Sequence, residues 1–410
     1  MSQNLNYTDD DFTNALVSIQ GFDIGGTMDS FPQMTIKEIV LAESLLTPGL
    51  QTSVTFQSQL YTGTYKNFDS WKNQNINFTL IKENGAFLPV LQKVYRLDNR
   101  DFMPVNVGQT EEFTIHACDQ TLLNDAKTLV SKSWKCTEPS DIVSYVLQSC
   151  AGATLIDVEN CGPTRDYIAE NIHPFQVVAQ QGNVALAGDD PSFVHFMTYA
   201  PGGGQHHFRS LKSLCRQGPV ATYKHGENGF DGGAGPLNSG GYQNPNVALA
   251  FMFPCDFDYL SDLLNGLDEN GQNMNTVAMF NPLNLSAFQV GNSSGGCGIG
   301  GFNFKSAMSN SGTSQQMDSC NYEVEKYLLK RQARMALLER DKVALRMTVP
   351  WNPNLHAGSV INLDWRDRYG NIVYGNGTYL ISSMQHIVRL GGFAVTSLDC
   401  VSTSVAGGIV

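Results

Sequence analysis

From Thr35 onward the chain alternates apolar and polar residues with the period of two that a half-buried strand requires. The runs TIKEIVLAES, LQTSVTFQSQL, INFTLIKENGAFLPVLQKVYRL and EEFTIHACD follow one another to about residue 119. The third contains Asn84-Gly85, two residues that tolerate positive φ, and so divides into the arms of a hairpin. Five short strands in roughly 85 residues predict a small antiparallel barrel or sandwich. A second sheet is predicted at the far end from KVALRMTVP, GSVINLDWRD, GTYLISSMQHIVRL and GFAVTSLDCV. Both regions run through an extended stretch, a Gly-containing turn, a strand with a polar residue near its centre and a last strand ending at a cysteine, Cys118 in one and Cys400 in the other. This pattern reads as an internal repeat of one barrel type.

Between the two regions the period changes. TLLNDAKTLVSKSW and PSDIVSYVLQSC read as helices, the second capped by Ser140 or Asp141 after Pro139. SFVHFMTYAPGGGQHHFRSLKSL pairs two alternating strands around a glycine-rich turn, which makes this stretch an α+β unit. Two Gly/Ser/Asn-rich segments follow, from His225 and from Gly291, with the strand-like VALAFMFPCDFDYL between them, and both are read as surface loops. From Asn321 a helix places Val324, Tyr327, Leu328, Met335 and Leu338 on one face with Arg331 inside the stripe, while Leu329, Ala333, Ala336 and Leu337 form a second apolar face. The helix is therefore expected to lie between two bodies, where Arg331 must find a carboxylate or reach water. The expected division is an N-terminal arm over 1–30, a first barrel over 31–122, an α+β middle unit over 123–220, loops and the first strands of a second barrel over 221–320, and a helix with the rest of that barrel over 321–404.

Length supports several units, because 410 residues suggest two to four domains at roughly 100 to 200 residues each. With 42% hydrophobic and 16% charged residues the chain is a packed globular protein. The net charge of -12 argues against a surface that binds nucleic acid by counterion release. The polar, acidic N-terminus has no signal layout, and no apolar run approaches the ~20 residues of a membrane helix, so a soluble chain is expected. Nine scattered cysteines without a Cys-x-x-Cys pair indicate reduced, mostly buried thiols.

Two short motifs invite an enzymatic reading. GFDIGGTMDS, residues 21–30, resembles the phosphate loop of a sugar kinase, but the polar break ending at Pro32 denies it a following strand. It is expected to be an arm that bends at Gly25 and Gly26 and binds no ATP. Gly291-Asn292-Ser293-Ser294-Gly295 satisfies G-x-S-x-G, yet the glycines that follow exclude the helix a nucleophile elbow needs. The eight histidines show no metal-binding spacing; His206 and His207 point to opposite faces of one strand, and His195 can face one of them across the hairpin. Asp189 and Asp190 precede Pro191 in a turn and are read as local backbone acceptors. No catalytic residue, cofactor or metal site is expected.

The C-terminal run LHAGSVINLDWRDRYGNIVYGNGTYLISSMQHIVRLGGFAVTSLDCV resembles the closing segment of the central baseplate hub protein of contractile-tailed phages, a family shared with the hub part of type VI secretion spike proteins. The residues that carry the likeness are Gly358, Val360, Gly377, Tyr379, Ile381 and His386, supported by IVLAESLLTPGLQTSVTF, PSDIVSYVL, SFVHFMTYAPGGGQHHFRSL and NYEVEKYLLKRQARMALLER, in order over about residues 30 to 404. The two Gly-rich loops depart from the family. The resemblance implies a mainly β protein with two tail-tube-like antiparallel barrels joined by a smaller α+β domain. It also implies a non-enzymatic role: a homotrimeric ring in the virion's tail baseplate, assembled in the host cytoplasm. Such a ring would join the tail tube protein or a tube initiator to the spike protein, with DNA passing its lumen without specific binding and no membrane insertion by this chain. Tyr327, Arg331 and Met335 are the expected assembly-interface residues. An adhesin-like carbohydrate-binding module with an exposed aromatic platform, FDSW and NLDWRD being the candidates, and a nucleotide-binding enzyme of the sugar-kinase class are the alternatives.

Overall fold

A computed structural model describes residues 17–26, 34–59, 68–82, 85–102, 110–225, 250–253, 276–281, 286–291, 345–365, 371–372, 375–389 and 394–402. The first region contains β1 (Val17–Ile24), β2 (Met34–Ser44), β3 (Gln51–Gln59), the single turn α1 (Phe68–Trp71), β4 (Asn75–Lys82), β5 (Phe87–Phe102) and β6 (Thr110–Cys118). Their lateral order is β2-β3-β6-β5-β4-β1, every neighbour antiparallel. The alternation predicted from the sequence is realised in β4, where Ile76, Phe78 and Leu80 are buried and Asn75 and Asn77 are exposed. These residues join Ile39, Val54, Phe56, Trp71, Val90, Phe113 and Ile115 in the largest core among the described residues.

β1 corrects the expectation of an arm over 1–30. Residues 17–24 form the edge strand of the sheet, since Val17 and Ile24 are buried and Ile19 and Phe22 pack on the core. A register shift between Gln20 and Asp23, with Gly21 at φ 63°, brings both apolar ends of the strand to the same face. The bend at Gly25 and Gly26 is present, at φ 63° and 78°.

The middle region begins with α2 (Gln120–Lys127), capped by Asp119, whose carboxylate accepts the Thr121 N–H at 2.8 Å. The helix stops there and residues 130–134, expected to extend it, belong instead to β7 (Val130–Thr137). Local helix propensity loses to the ladder that β7 makes with β9 (Arg165–Ile172). In α3 (Pro139–Tyr145) Glu138 occupies the N-cap position without a side-chain hydrogen bond, with Pro139 in the first turn, so neither Ser140 nor Asp141 is the cap; a π-helical turn, Val146–Cys150, completes it. β8 (Leu155–Val158), α4 (Pro174–Val184), β10 (Phe193–Ala200), β11 (Gly203–Ser210) and α5 (Leu211–Cys215) follow. β10 and β11 form the predicted glycine-turned hairpin, with β8 parallel to β11. The core of this unit is built from Ile142, Val146, Leu147, Val178, Phe193 and Phe208.

The last region holds β12 (Ala221–His225), β13 (Ala250–Met252), the separate hairpin β14 (Thr276–Asn281) and β15 (Ser286–Gly291), then β16 (Leu345–Pro350), β17 (Val360–Trp365), β18 (Gly377–Arg389) and β19 (Ala394–Val401). Its lateral order is β13-β16-β19-β18-β17-β12. Position for position this is the order of the first region, with β12 in the place of β1. The one difference is that β12 runs parallel to its neighbour and β1 antiparallel.

The strands do not close into two barrels among the described residues. β18 is long enough to pair with β17 through its first residues and with β2 through Ser383–Arg389, so both regions belong to a single twelve-stranded sheet. The helix expected from residue 321, with Tyr327, Arg331 and Met335, and nearly all of both Gly-rich segments lie outside the described residues.

Candidate functional site at the junction of the three regions

Alternation along β2 buries Ile39 and Leu41 and, at the next inward position, Glu43. A buried carboxylate demands partners. Glu43 finds them in the other two regions: Oε1 accepts the Tyr199 N–H of β10 at 2.9 Å and Nδ1–H of His356 at 3.1 Å, and Oε2 accepts the Ala357 N–H at 2.8 Å. Burial alone would raise the Glu43 pKa, but His356 and the two backbone donors hold it below the ordinary value. Burial opposes charge on His356 too, and Glu43 overcomes it and raises the imidazole pKa. Each partner thus favours the charged form of the other, and together they fasten the loop before β17 and the end of β10 to β2.

Beside this carboxylate the hairpin presses on the last region. Phe196, Val194, Leu211 and Leu214 pack with Leu45, Ala357, Val360, Leu380 and Val401. Gly358, at φ 84°, lies beneath Phe196, and a Cβ there would come within 3.0 Å of the ring edge, so the close approach requires glycine. On the side of the first region, Tyr199 donates its hydroxyl to the Gln51 carbonyl at 2.9 Å and lies 3.0 Å from Thr52 Oγ1. A cavity of about 310 Å³ opens between the hairpin and the loop, lined by Phe196, Thr198, His207, Arg209, His356 and Gly358 among others.

The hairpin histidines divide as the strand period predicts. His206 is fully buried with Nδ1 3.0 Å from His195 Nε2 and Nε2 2.9 Å from Thr121 Oγ1. Thr121 gives its proton to the Asp119 carboxylate at 2.6 Å, so it accepts from His206 Nε2–H, and His206 Nδ1 in turn accepts from His195 Nε2–H. Both rings are neutral: burial drives His195 well below its usual pKa and His206 to about 4. His207 faces the other way, bonded to Thr198 at 2.9 Å and Asp157 at 3.0 Å. His386 is buried against Thr396, and burial lowers its pKa to about 4. These are structural hydrogen-bonding histidines, and no group of three or more His, Cys, Asp or Glu able to hold a metal occurs among the described residues.

The suspected motifs resolve in the same way. In GFDIGGTMDS the Gly25 N–H donates to the Asn75 carbonyl at 2.9 Å and the Gly26 N–H to Asp23 Oδ2 at 2.9 Å, which leaves neither for a phosphate. Ser293 lies outside the described residues. Asp190 accepts from the Ser192 N–H at 3.1 Å, the local backbone role expected of it, and also from the distant Lys212 N–H at 2.8 Å, while Asp189 pairs instead with the Lys212 ammonium. Trp71 of FDSW is core, and Trp365 of NLDWRD stacks on Phe253 at 5.8 Å, so neither offers an open platform. Cys118, Cys161 and Cys400 are buried, as expected of reduced thiols, whereas Cys136 and Cys215 are exposed. Sequence reasoning missed Glu43, and the signal was present: a carboxylate at an inward position of a strand otherwise occupied there by Ile39 and Leu41. His356 and Tyr199 had no comparable mark.

No protein-family model matches the chain. No curated protein matches it. Two solved structures share its fold: the tail protein from Neisseria meningitidis MC58, at 9% identity and a TM-score of 0.53 over 95% of this chain and 96% of that one, and the 43 kDa tail protein of prophage MuSo2 from Shewanella oneidensis, at 9% and 0.52 over 94% and 97%. A looser likeness, at a TM-score of 0.46 and 9% identity over 95% of this chain and 77% of that one, links it to the E. coli c3393 protein, a component of the type VI secretion system. The chain has the mainly β fold of phage tail proteins along nearly its whole length.

Proposed function

We propose that the chain is the structural central hub of a phage tail baseplate, three copies forming a ring that joins a sixfold tail tube to a threefold spike. The observation that supports this reading is the repeated strand order of the first and last regions, joined through β2 and β18 in one sheet. Two equivalent units per chain make six per three chains, so a threefold ring can offer a sixfold face to the next ring, and closed symmetry satisfies all of its interfaces together. The Glu43 junction fits a load-carrying part, because it fixes the middle region against both units. In this reading the partners are the tube protein or tube initiator and the spike. The lumen passes DNA without binding it, in keeping with the net charge of -12. The chain acts without catalysis, in the virion, after assembly in the host cytoplasm. The helix carrying Tyr327, Arg331 and Met335 is our candidate for the packing element beside the last region.

Mass photometry of the assembled chain, with averaged electron images of the particles, tests the reading. Rings of three chains with six similar lobes are expected. Particles without a threefold axis overturn it.

A further inference from the structure

Strand period puts Phe196 and Thr198 of β10 and Gln205, His207 and Arg209 of β11 on one face of the hairpin, since Phe196 pairs with His207 and Thr198 with Gln205. That face and the loop before β17 bound a cavity of about 310 Å³. Sites for small ligands enclose roughly 300–1,000 Å³, so this one suits a compact molecule. Its lining divides in two. Phe196, Leu214 and Ala357 are buried apolar residues, whereas Arg209 and His356 bring a guanidinium and an imidazole. No carboxylate is among the described residues that line it, in a chain whose net charge is -12.

The polar groups of this lining are unequally committed. His207 uses both ring nitrogens: Nδ1–H goes to Asp157 at 3.0 Å, and Nε2 accepts from the Thr198 hydroxyl at 2.9 Å. Arg209 approaches Asp157 at 3.7 Å, beyond hydrogen-bonding distance, and its guanidinium makes no hydrogen bond among the described residues. His356 gives Nδ1–H to Glu43 and leaves Nε2 without a hydrogen-bond partner among the described residues. Both side chains are 28% exposed, so they remain open to whatever enters the cavity. A planar fork of donors and a second cationic donor, beside apolar side chains and away from any competing acid in the lining, suit a carboxylate carried on a small apolar body.

We propose that this cavity is a binding site for a small organic carboxylate, its acid group held by Arg209 and His356 and its apolar body against Phe196, Leu214 and Ala357. A free acid and the acidic side chain of another protein offer the same chemistry, and the probes named below separate the two. The site lies within one chain, so it stands or falls independently of the hub reading. Occupancy is linked to the proton on His356, because an anion at Nε2–H favours the charged ring. The charged and titratable groups around that ring are Glu43 on β2, His207 and Arg209 on β11, Asp157 on β8 and His386 on β18. Burial lowers the pKa of His207 and His386, whereas Glu43 raises that of His356, so His356 is the last of the three imidazoles to lose its proton as pH rises.

Isothermal titration of the full-length chain tests the site, with benzoate, with benzyl alcohol as its uncharged counterpart, and with N-acetylglutamic acid α-amide standing for a protein side chain. Benzoate is expected to bind about tenfold or more tightly than benzyl alcohol. Arg209→Gln should weaken benzoate about tenfold without moving the melting temperature, and Arg209→Lys should restore part of the loss. Between about pH 6 and 9 benzoate stays ionised, and its affinity for the unmutated chain should fall as His356 loses its proton. Tighter binding of the glutamate derivative assigns the carboxylate to a protein partner, and tighter binding of benzoate assigns it to a free acid. Equal affinity for benzyl alcohol, a full affinity in Arg209→Gln, or no binding of either acid at about 10 mM overturns the site.

Discussion

The first and last regions share a strand order and differ in what covers them. At three matched positions in neighbouring strands the first region has Asn75, Lys93 and Cys118, and the last has Val360, Leu380 and Val401. The last three are buried under Phe196 and Leu214 of the middle region. In the first region Asn75 is exposed and Lys93 reaches the Asn73 carbonyl at 3.3 Å on the surface, whereas Cys118 is buried. The inner face of each sheet is apolar in both, Ile76 and Phe78 matching Ile361 and Leu363. One fold has thus been held by its inner face while the outer face differs, in one copy an apolar seat for another unit and in the other a surface exposed at Asn75 and buried at Cys118. Hydrophobicity of the inner strand positions specifies the architecture; that of the outer positions specifies the neighbour.

Exchanging the two outer faces tests this most severely. Leu380→Lys sets an ammonium, as Lys93 carries at the matched position, into the apolar cluster of Phe196, Leu214 and Val360, at a cost of several kcal/mol. A melting temperature lower by more than about 10 °C, or failure to fold, is expected, while Lys93→Leu shifts the melt by no more than about 0.5 kcal/mol in equivalent stability. Equal effects at the two sites would mean that the faces do not differ as described.

The next largest effect is expected at Glu43. Glu43→Ala leaves two backbone N–H groups and the His356 ring without their acceptor, and losing one partner of a buried pair costs roughly 3–5 kcal/mol. Chemical denaturation should show the middle and last regions coming apart together. Loss confined to the first region would contradict the junction.

Acid titration separates the junction from the hairpin. His206 and His386 have folded pKa values of about 4 against an ordinary 6.5, so between these values the unfolded chain binds more protons and stability rises with pH. The contribution of each is complete above 6.5 and declines by up to about 3 kcal/mol as pH falls to 4. Glu43 and His356 act oppositely to one another. The Glu43 contribution is lost only as pH falls below its ordinary value, and that of His356 is lost as pH rises through its raised pKa. Thermal melts from pH 4 to 8 should therefore fall steeply below 6.5, and His206→Gln should flatten that limb. An unchanged slope in the variant would refute the assignment.

The smallest effect is expected at the loop: Gly358→Ala strains a positive φ and crowds Phe196, for a loss of roughly 1–3 kcal/mol. Gly85→Ala, at φ 85° with open space around it, should cost only the backbone part.

The strands were legible because alternation is a local signal, and so was the repeat, since two copies of a local pattern can be compared by eye. The Asn84-Gly85 turn and the glycine-turned hairpin were legible for the same reason. β7 was not: Lys132, Ser133 and Lys135 fit a helix equally well, and only pairing with β9 over 30 residues away decides for the strand. Residues 17–24 were obscured by the glycines around them. The link from β2 to β18 joins residues more than 300 positions apart, as does the bond from Glu43 to His356, and nothing local encodes either. Glu43 announced that it needed a partner, without saying which.

The shared strand β18 also has a mechanical meaning. A linker between two units would let them swing apart under load, but β2 and β18 are joined by seven consecutive register pairs that lie side by side and would have to fail together in shear. A force applied along the chain would thus meet a sheet running through both regions, and any give in it would come from sheet twist and not from a hinge.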